Sequence, residues 1–209
     1  ANYLCNEYGM DTITTGMTIA VAMEMYEKGY ISEEIIGMPL KFGDHDAMIA
    51  MVKLMAFREG FGNDLAQGSF RLAEKYGHPE LAVTTRKQEF PGYDPRGSQG
   101  MGLLYATSNK GASHMEGDVA YEEVFGVPVK ENPHTTEGKP ELVRHFENSF
   151  ALMDSSGLCV FVAIRYAFNK DRMILPLRVT EMMNLTTGAE YTPEEVMIAA
   201  DRVYTLERM

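Results

Sequence analysis

Apolar residues near the start of the chain recur at three- and four-residue steps: Ile13, Met17, Ala20, Val21 and Met25 share one face of an amphipathic helix. Asp11 or Thr12 stands where an N-cap belongs, and Gly29 where the helix has to stop. Ser32-Glu33-Glu34 opens a short helical turn that Gly37-Met38-Pro39 closes. A helix entered at Asp44 or Asp46 carries Met48, Met51, Val52, Met55 and Ala56 on one side, with Gly60 behind it. Asn63 to Lys75 reads as one more amphipathic helix, with Leu65, Phe70 and Leu72 inward and Gly77 at its end. No strand-like alternation is found in this first stretch.

The pattern then loosens. Ala82-Val83-Thr84-Thr85 predicts a short strand, and Glu89 to Gly97 is a loop dense in Pro, Gly and charge. Gln99 to Thr107 is helical, Asn109 to His114 turns the chain, and Gly126 to Pro140 reads as a surface excursion. Four helical segments come next: Pro140 to Met153, Val160 to Phe168, Arg172 to Leu185, and Pro193 to Met209. Val160 to Phe168 is apolar enough to predict burial. Thr192-Pro193-Glu194-Glu195 is a capping-box start for the last helix. The fold class expected is mainly α, multi-helical with few short strands, divided into a helical domain over 1–78 and another over 79–209.

Composition narrows the chemistry. The 209 residues suffice for one large or two small cores, and 45 % apolar content excludes a disordered chain. A formal charge of −11 argues against a nucleic-acid partner, because phosphates would repel it. Only two cysteines, Cys5 and Cys159, are present, so no disulfide framework forms; they fit reduced thiols in a cytoplasmic protein. No apolar run reaches the ~20 residues of a membrane span, so no membrane is expected. The start at Ala1 and the end at Met209 within a helical pattern fit a segment of a longer protein. Sixteen methionines and no tryptophan describe a deformable core, in which a methionine stripe is packing and not a metal site.

One short turn concentrates reactive groups. Asp154-Ser155-Ser156-Gly157-Leu158-Cys159 places a carboxylate and a thiol five residues apart between two apolar runs. Asn6-Glu7-Tyr8-Gly9-Met10-Asp11 repeats the spacing, with an amide first and a carboxylate last. Spacing alone allows two readings: unrelated helix junctions, where Gly and Asp are common anyway, or two similar ligand halves gripped from two sides. Of the five histidines, His114 comes after the Asn-Lys-Gly-Ala-Ser turn, and His45 lies between Asp44 and Asp46, where a metal at a subunit contact or a plain helix N-terminus both fit. His78, His134 and His145 read as surface residues.

Five segments taken in order resemble one family: Cys-Asn-Glu-Tyr-Gly-Met-Asp-Thr-Ile-Thr-Thr-Gly (5–16), Arg-Glu-Gly-Phe-Gly-Asn-Asp-Leu-Ala-Gln-Gly (58–68), Glu-Phe-Pro-Gly-Tyr-Asp-Pro-Arg-Gly (89–97), Ala-Thr-Ser-Asn-Lys-Gly-Ala-Ser-His (106–114) and Asp-Ser-Ser-Gly-Leu-Cys (154–159). The chain resembles the helical, C-terminal part of the tungsten-pterin aldehyde:ferredoxin oxidoreductases. The N-terminal β-rich domain that holds the pterin phosphates in that family is not in this sequence. Neither is the Cys-x-x-Cys-x-x-x-Cys that supplies three cluster ligands.

The resemblance implies a tungsten (or molybdenum) bis-pterin centre beside a 4Fe-4S cluster, an aldehyde substrate, ferredoxin as electron acceptor, and a homodimer as one possible assembly. By the same resemblance Asp154, Leu158 and Cys159 grip one pterin, and Asn6, Met10 and Asp11 the other. Cys159 is then also the cluster's fourth thiolate ligand, and His114 the proton-handling residue by the metal. Asn6 and Met10 depart from the family's aspartate and leucine. An amide offers one acceptor oxygen where a carboxylate offers two, so the first grip is expected to be weaker or to rely on Asp11. Tyr93, Asp94, Arg96 and Glu89 either line the pocket or only fold their loop. Two other functions remain open: a non-catalytic helical module of the same fold, and a related enzyme acting on aromatic acyl thioesters.

Overall fold

The computed structural model describes all residues, 1–209, and divides them into two compact units. The first is Ala1–Pro91 with Lys110–Ala112, and the second is Gly92–Asn109 with Ser113–Met209. The expected border after residue 78 lies inside the first unit. Twelve helices and one two-stranded ribbon make up the chain, with 59 % of residues helical, so the mainly α expectation holds.

The first unit opens with α1 (Asn2–Tyr8) and α2 (Thr12–Glu27), then α3 (Glu33–Ile36), α4 (His45–Phe57), α5 (Gly62–Leu65) and α6 (Ser69–Lys75). α2 is its central helix and packs on α1, α4, α5 and α6. Its core is soft and closed, with Met25, Met51, Leu40 and Leu65 fully buried and Cys5 packed among them. α4 starts where the acids predict, Asp44 accepting from Ala47 N–H at 2.9 Å. It stops at Arg58, which takes the left-handed conformation (φ 54°), two residues before Gly60.

The helix expected over 63–75 is in fact two helices. Gly68 (φ 86°) breaks the helical path, and Ser69 donates both its N–H (2.8 Å) and its hydroxyl (2.7 Å) to the buried Glu89 carboxylate. A charged acceptor meeting a free helix N-terminus outweighs continued helical periodicity. Glu89 also accepts from Thr14 Oγ1 at 3.1 Å, so one carboxylate ties α6 to α2. It sits on β2 (Gln88–Glu89), paired antiparallel with β1 (Thr84–Thr85). Arg86 and Lys87 between them both have positive φ, as a tight two-residue hairpin turn of the primed type requires.

The second unit comprises α7 (Gln99–Thr107), α8 (Ala120–Glu123), α9 (Lys139–Ser155), α10 (Val160–Ala167), α11 (Ile174–Thr187) and α12 (Pro193–Glu207). α9 is its axis, in contact with α7, α10, α11 and α12. α12 begins with the predicted capping box between Thr192 and Glu195. Buried Glu123 pairs with Lys139 at 2.7 Å, and buried Glu122 with the half-buried Arg172 at 2.6 Å. Glu123 also accepts from Gly100 N–H at 2.9 Å and from the Ser98 hydroxyl, capping α7 from across the unit.

Burial of Val160 to Phe168 holds only in part. α10 buries only Ala163 and Ala167, while Phe161 is 77 % and Val162 68 % exposed. The two alanines pack inward, as does Phe168 just beyond the helix, Val160 and Ile164 are half-buried, and Phe161 and Val162 face out. His145 likewise is no surface residue. It is half-buried on α9, and burial, aided by the Arg172 charge, lowers its pKa to about 4.

Candidate functional site

The two motif turns have one backbone geometry. After α1, Gly9 is left-handed (φ 66°); its N–H donates to Asn6 O at 3.3 Å, and Met10 N–H reaches back to Cys5 O at 2.8 Å. After α9, Gly157 has φ 73°; its N–H donates to Asp154 O at 3.1 Å, and Leu158 N–H reaches Met153 O at 3.0 Å. Both are the glycine-terminated helix stop that satisfies the last carbonyls, and glycine is needed because a side chain disfavours positive φ. Each turn then starts a new helix from an extended residue, Asp11 at φ −65°, ψ 126° and Cys159 at φ −67°, ψ 129°. Asn6 thus corresponds to Asp154, Met10 to Leu158 and Asp11 to Cys159.

Their side chains differ. Asp11 spends one carboxylate oxygen on Thr14 N–H at 2.6 Å, whereas Cys159 makes no side-chain cap bond. Asn6, Asp11, Asp154 and Cys159 are exposed, and Met10 and Leu158 are half-buried. The first turn borders a cavity of about 300 Å³ that Met10, Asp11, Thr14 and Arg58 line. At the second, Ser155 and Ser156 border a larger apolar cavity of about 410 Å³ walled by α12.

His114 belongs to the same unit as the second turn. It opens a 3-10 turn (His114–Glu116) capped by the Ser113 hydroxyl, which accepts from Met115 N–H at 3.2 Å. Its ring meets Tyr93 edge-on at 5.8 Å. A cavity of about 140 Å³ is lined by Tyr93, His114, Asp118 and Tyr121 on one side, with Val160, Phe161 and Ile164 of α10 on another. Val160 is the next residue after Cys159, so the fold brings His114 beside the helix that the second turn launches.

Other loop residues divide by role. Tyr93 lines the His114 cavity, while Asp94 and Arg96 fold the loop: Arg96 Nη2 lies 2.5 Å from the Asp94 carboxylate and holds its pKa down to about 2. Glu89 is the structural tie described above. His45 is exposed, 3.3 Å from Asp46. Nowhere does the chain assemble three or more His, Cys, Asp or Glu able to hold a metal ion. Both cysteines are free, Cys5 buried and Cys159 exposed.

Sequence reasoning missed Asp118, buried in the His114 cavity with its pKa raised to about 6 by burial. Nothing in Glu-Gly-Asp-Val marks it out; only the folded loop puts a carboxyl there.

The family description "Aldehyde ferredoxin oxidoreductase, domains 2 & 3" matches residues 1–209. The chain belongs to the aldehyde ferredoxin oxidoreductase family. It is 41 % identical over its whole length to the tungsten-containing aldehyde ferredoxin oxidoreductase of Pyrococcus furiosus, and 37 % to that of Thermococcus kodakarensis. The aliphatic sulfonate oxidoreductase WOR-like subunit of Pyrococcus furiosus is more distant, at 29 % over 93 % of the chain. The chain spans about a third (34 %) of the length of the first two relatives. No helix is long and apolar enough to cross a membrane.

The side chains at the turns fit a pterin. Its ring carries adjacent N–H donors, and each turn offers an exposed acceptor, the Asn6 amide or the Asp154 carboxylate, beside a glycine that lets a flat ring approach. They fit a cubane cluster only in part, because Cys159 is the one exposed cysteine and a 4Fe-4S cluster takes four ligands.

Proposed function

We propose that this chain is the pterin-gripping part of a cytoplasmic oxidoreductase that converts an aldehyde and water to a carboxylic acid, two protons and two electrons. When bound, the tungsten or molybdenum bis-pterin centre supplies the two-electron oxidation, and a 4Fe-4S cluster passes the electrons singly to ferredoxin. The observation that carries the reading is the pair of turns with the same hydrogen bonds and dihedrals, one in each unit.

Each turn orients one pterin. Asp154 accepts two ring N–H groups side by side, a charge-assisted contact on the order of 1.5–3 kcal/mol, and Asn6 accepts one. Asp11 divides its carboxylate between the helix N-terminus and the ligand. Leu158 and Met10 supply apolar contact to the ring. Cys159 faces outward and contributes one cluster ligand, the rest coming from the missing N-terminal part of the parent chain. His114 hydrogen-bonds the aldehyde oxygen and exchanges a proton with it, since an imidazole titrates near neutrality. The small, aromatic-walled cavity restricts water around that exchange.

The test is elemental and pterin analysis of the full-length protein, with an assay of aldehyde-dependent ferredoxin reduction. One tungsten or molybdenum and two pterins per chain, with activity, are expected. A protein that purifies with neither metal nor pterin would be a non-catalytic helical module instead.

A further inference from the structure

The segment carrying His114 is pinned from below. Gly117, at φ 151°, lies against α9 so closely that a Cβ there would meet Glu147 N at 2.9 Å. The next residue, Asp118, is therefore held in place at the cavity wall, 5 % exposed. Its Oδ1 accepts a hydrogen bond of 3.2 Å from Ala120 N–H, and the residue lines the same cavity as His114. The titratable groups around it are three tyrosines and one histidine: Tyr93 from the loop, Tyr105 from α7, Tyr121 from α8 and His114 from its own turn. α9 and α10 present Phe150, Val160, Phe161 and Ile164, with no charge among them. No lysine or arginine lines the cavity to hold the carboxylate ionised, and burial raises its pKa to about 6.

We propose that Asp118 is a second proton-handling residue of the His114 site, accepting a proton from the attacking water. The inference rests on the aldehyde-oxidising reading and adds a residue to it. Oxidation forms a C–O bond from water and breaks the aldehyde C–H bond, releasing two protons and two electrons. When bound, the metal centre would take the two electrons for a ferredoxin-class acceptor, and the proton of the broken C–H bond would leave to solvent. Asp118 takes one proton from the water as the C–O bond forms and later passes it to solvent, while His114 holds the carbonyl oxygen. A buried carboxyl poised near the working pH suits this exchange better than one ionised down to pH 4. A helix cap alone would need neither the cavity nor the lack of a counter-charge.

Asp118→Asn in the full-length holoenzyme keeps the shape and the acceptor for Ala120 N–H but cannot take a proton. Its kcat should fall about 100-fold, with tungsten content and helix signal as in the native enzyme. In infrared difference spectra the native enzyme should show a carboxyl titrating near pH 6, absent from the variant, and the acid limb of kcat that coincides with it should be lost. Asp118→Ser, which still caps, should behave alike and serves if the Asn variant does not fold. A variant above half the native rate, a rate loss with the acid limb unchanged, or no carboxyl titrating above pH 5 overturns the proposal. A native protein with no metal and no aldehyde oxidation fails the underlying reading as well, an outcome seen before any variant is made.

Discussion

The two turns share a backbone and differ in the helices they launch. Downstream of Asp11, α2 runs through the middle of its unit and buries seven residues, from Thr15 to Met25. Downstream of Cys159, α10 buries two alanines and leaves Phe161 and Val162 in the open. The same device, a glycine stop feeding an extended cap, thus serves one helix that builds the core and another that covers little of it. The stops are local and depend only on the glycine and its hydrogen bonds. What the next helix does depends on the side chains it carries. The cap residue shows the same division: the Asp11 side chain helps to fold α2, whereas the Cys159 side chain makes no cap bond and stays exposed.

The sharpest way to break that contrast is at the caps' chemistry. In the holoenzyme, Cys159→Ser should abolish or convert the iron–sulfur signal, because a hydroxyl is a poor ligand where a thiolate is required. Electron paramagnetic resonance together with iron content reads this out, and an unchanged spectrum with full iron removes Cys159 from the ligand set. A smaller effect tests the shared backbone. Gly9→Ala and Gly157→Ala should each lose about 1 kcal/mol of stability in thermal unfolding, and by similar amounts, since both sit near φ 70° with nothing within 4 Å of an added Cβ. Unequal losses beyond about 1 kcal/mol would show that the turns are not equivalent. Smallest is the difference in capping: Asp11→Ala should cost roughly 1 kcal/mol, and Cys159→Ala in cofactor-free protein under about 0.5 kcal/mol.

The range of the forces involved decides how much of this is legible in the sequence. Helix starts set by adjacent residues are legible: Asp44 and the Thr192–Glu195 box cap their helices as the pattern indicates. So is the pairing of the turns, which depends on one glycine three residues after an Asn or Asp. The break at Gly68 is not, because its cause is Glu89, twenty residues away from Ser69. Apolar content predicts a buried α10, but residue type does not say which partner covers a face, and none within the second unit covers Phe161. Asp118 is invisible for the same reason: its pKa is raised by burial, which the folded cavity and not the local sequence imposes. The place of His114 in the site rests on the resemblance, and the fold adds the cavity it shares with Tyr93 and Asp118.

On the proposed reading, the two turns are equivalent grips made unequal by one atom type, a carboxylate oxygen at Asp154 and an amide at Asn6. Metal and pterin content per chain after exhaustive dialysis of Asp154→Asn and Asn6→Asp holoenzymes tests that inequality. Asp154→Asn should weaken retention by on the order of 1–2 kcal/mol, about tenfold in the dissociation constant, by turning the stronger grip into a copy of the weaker. Asn6→Asp should retain its full complement or hold it more tightly, with the nearby Glu7 charge as the one opposing influence. A full complement in Asp154→Asn together with an emptied Asn6→Asp would contradict this assignment and make the amide the required partner.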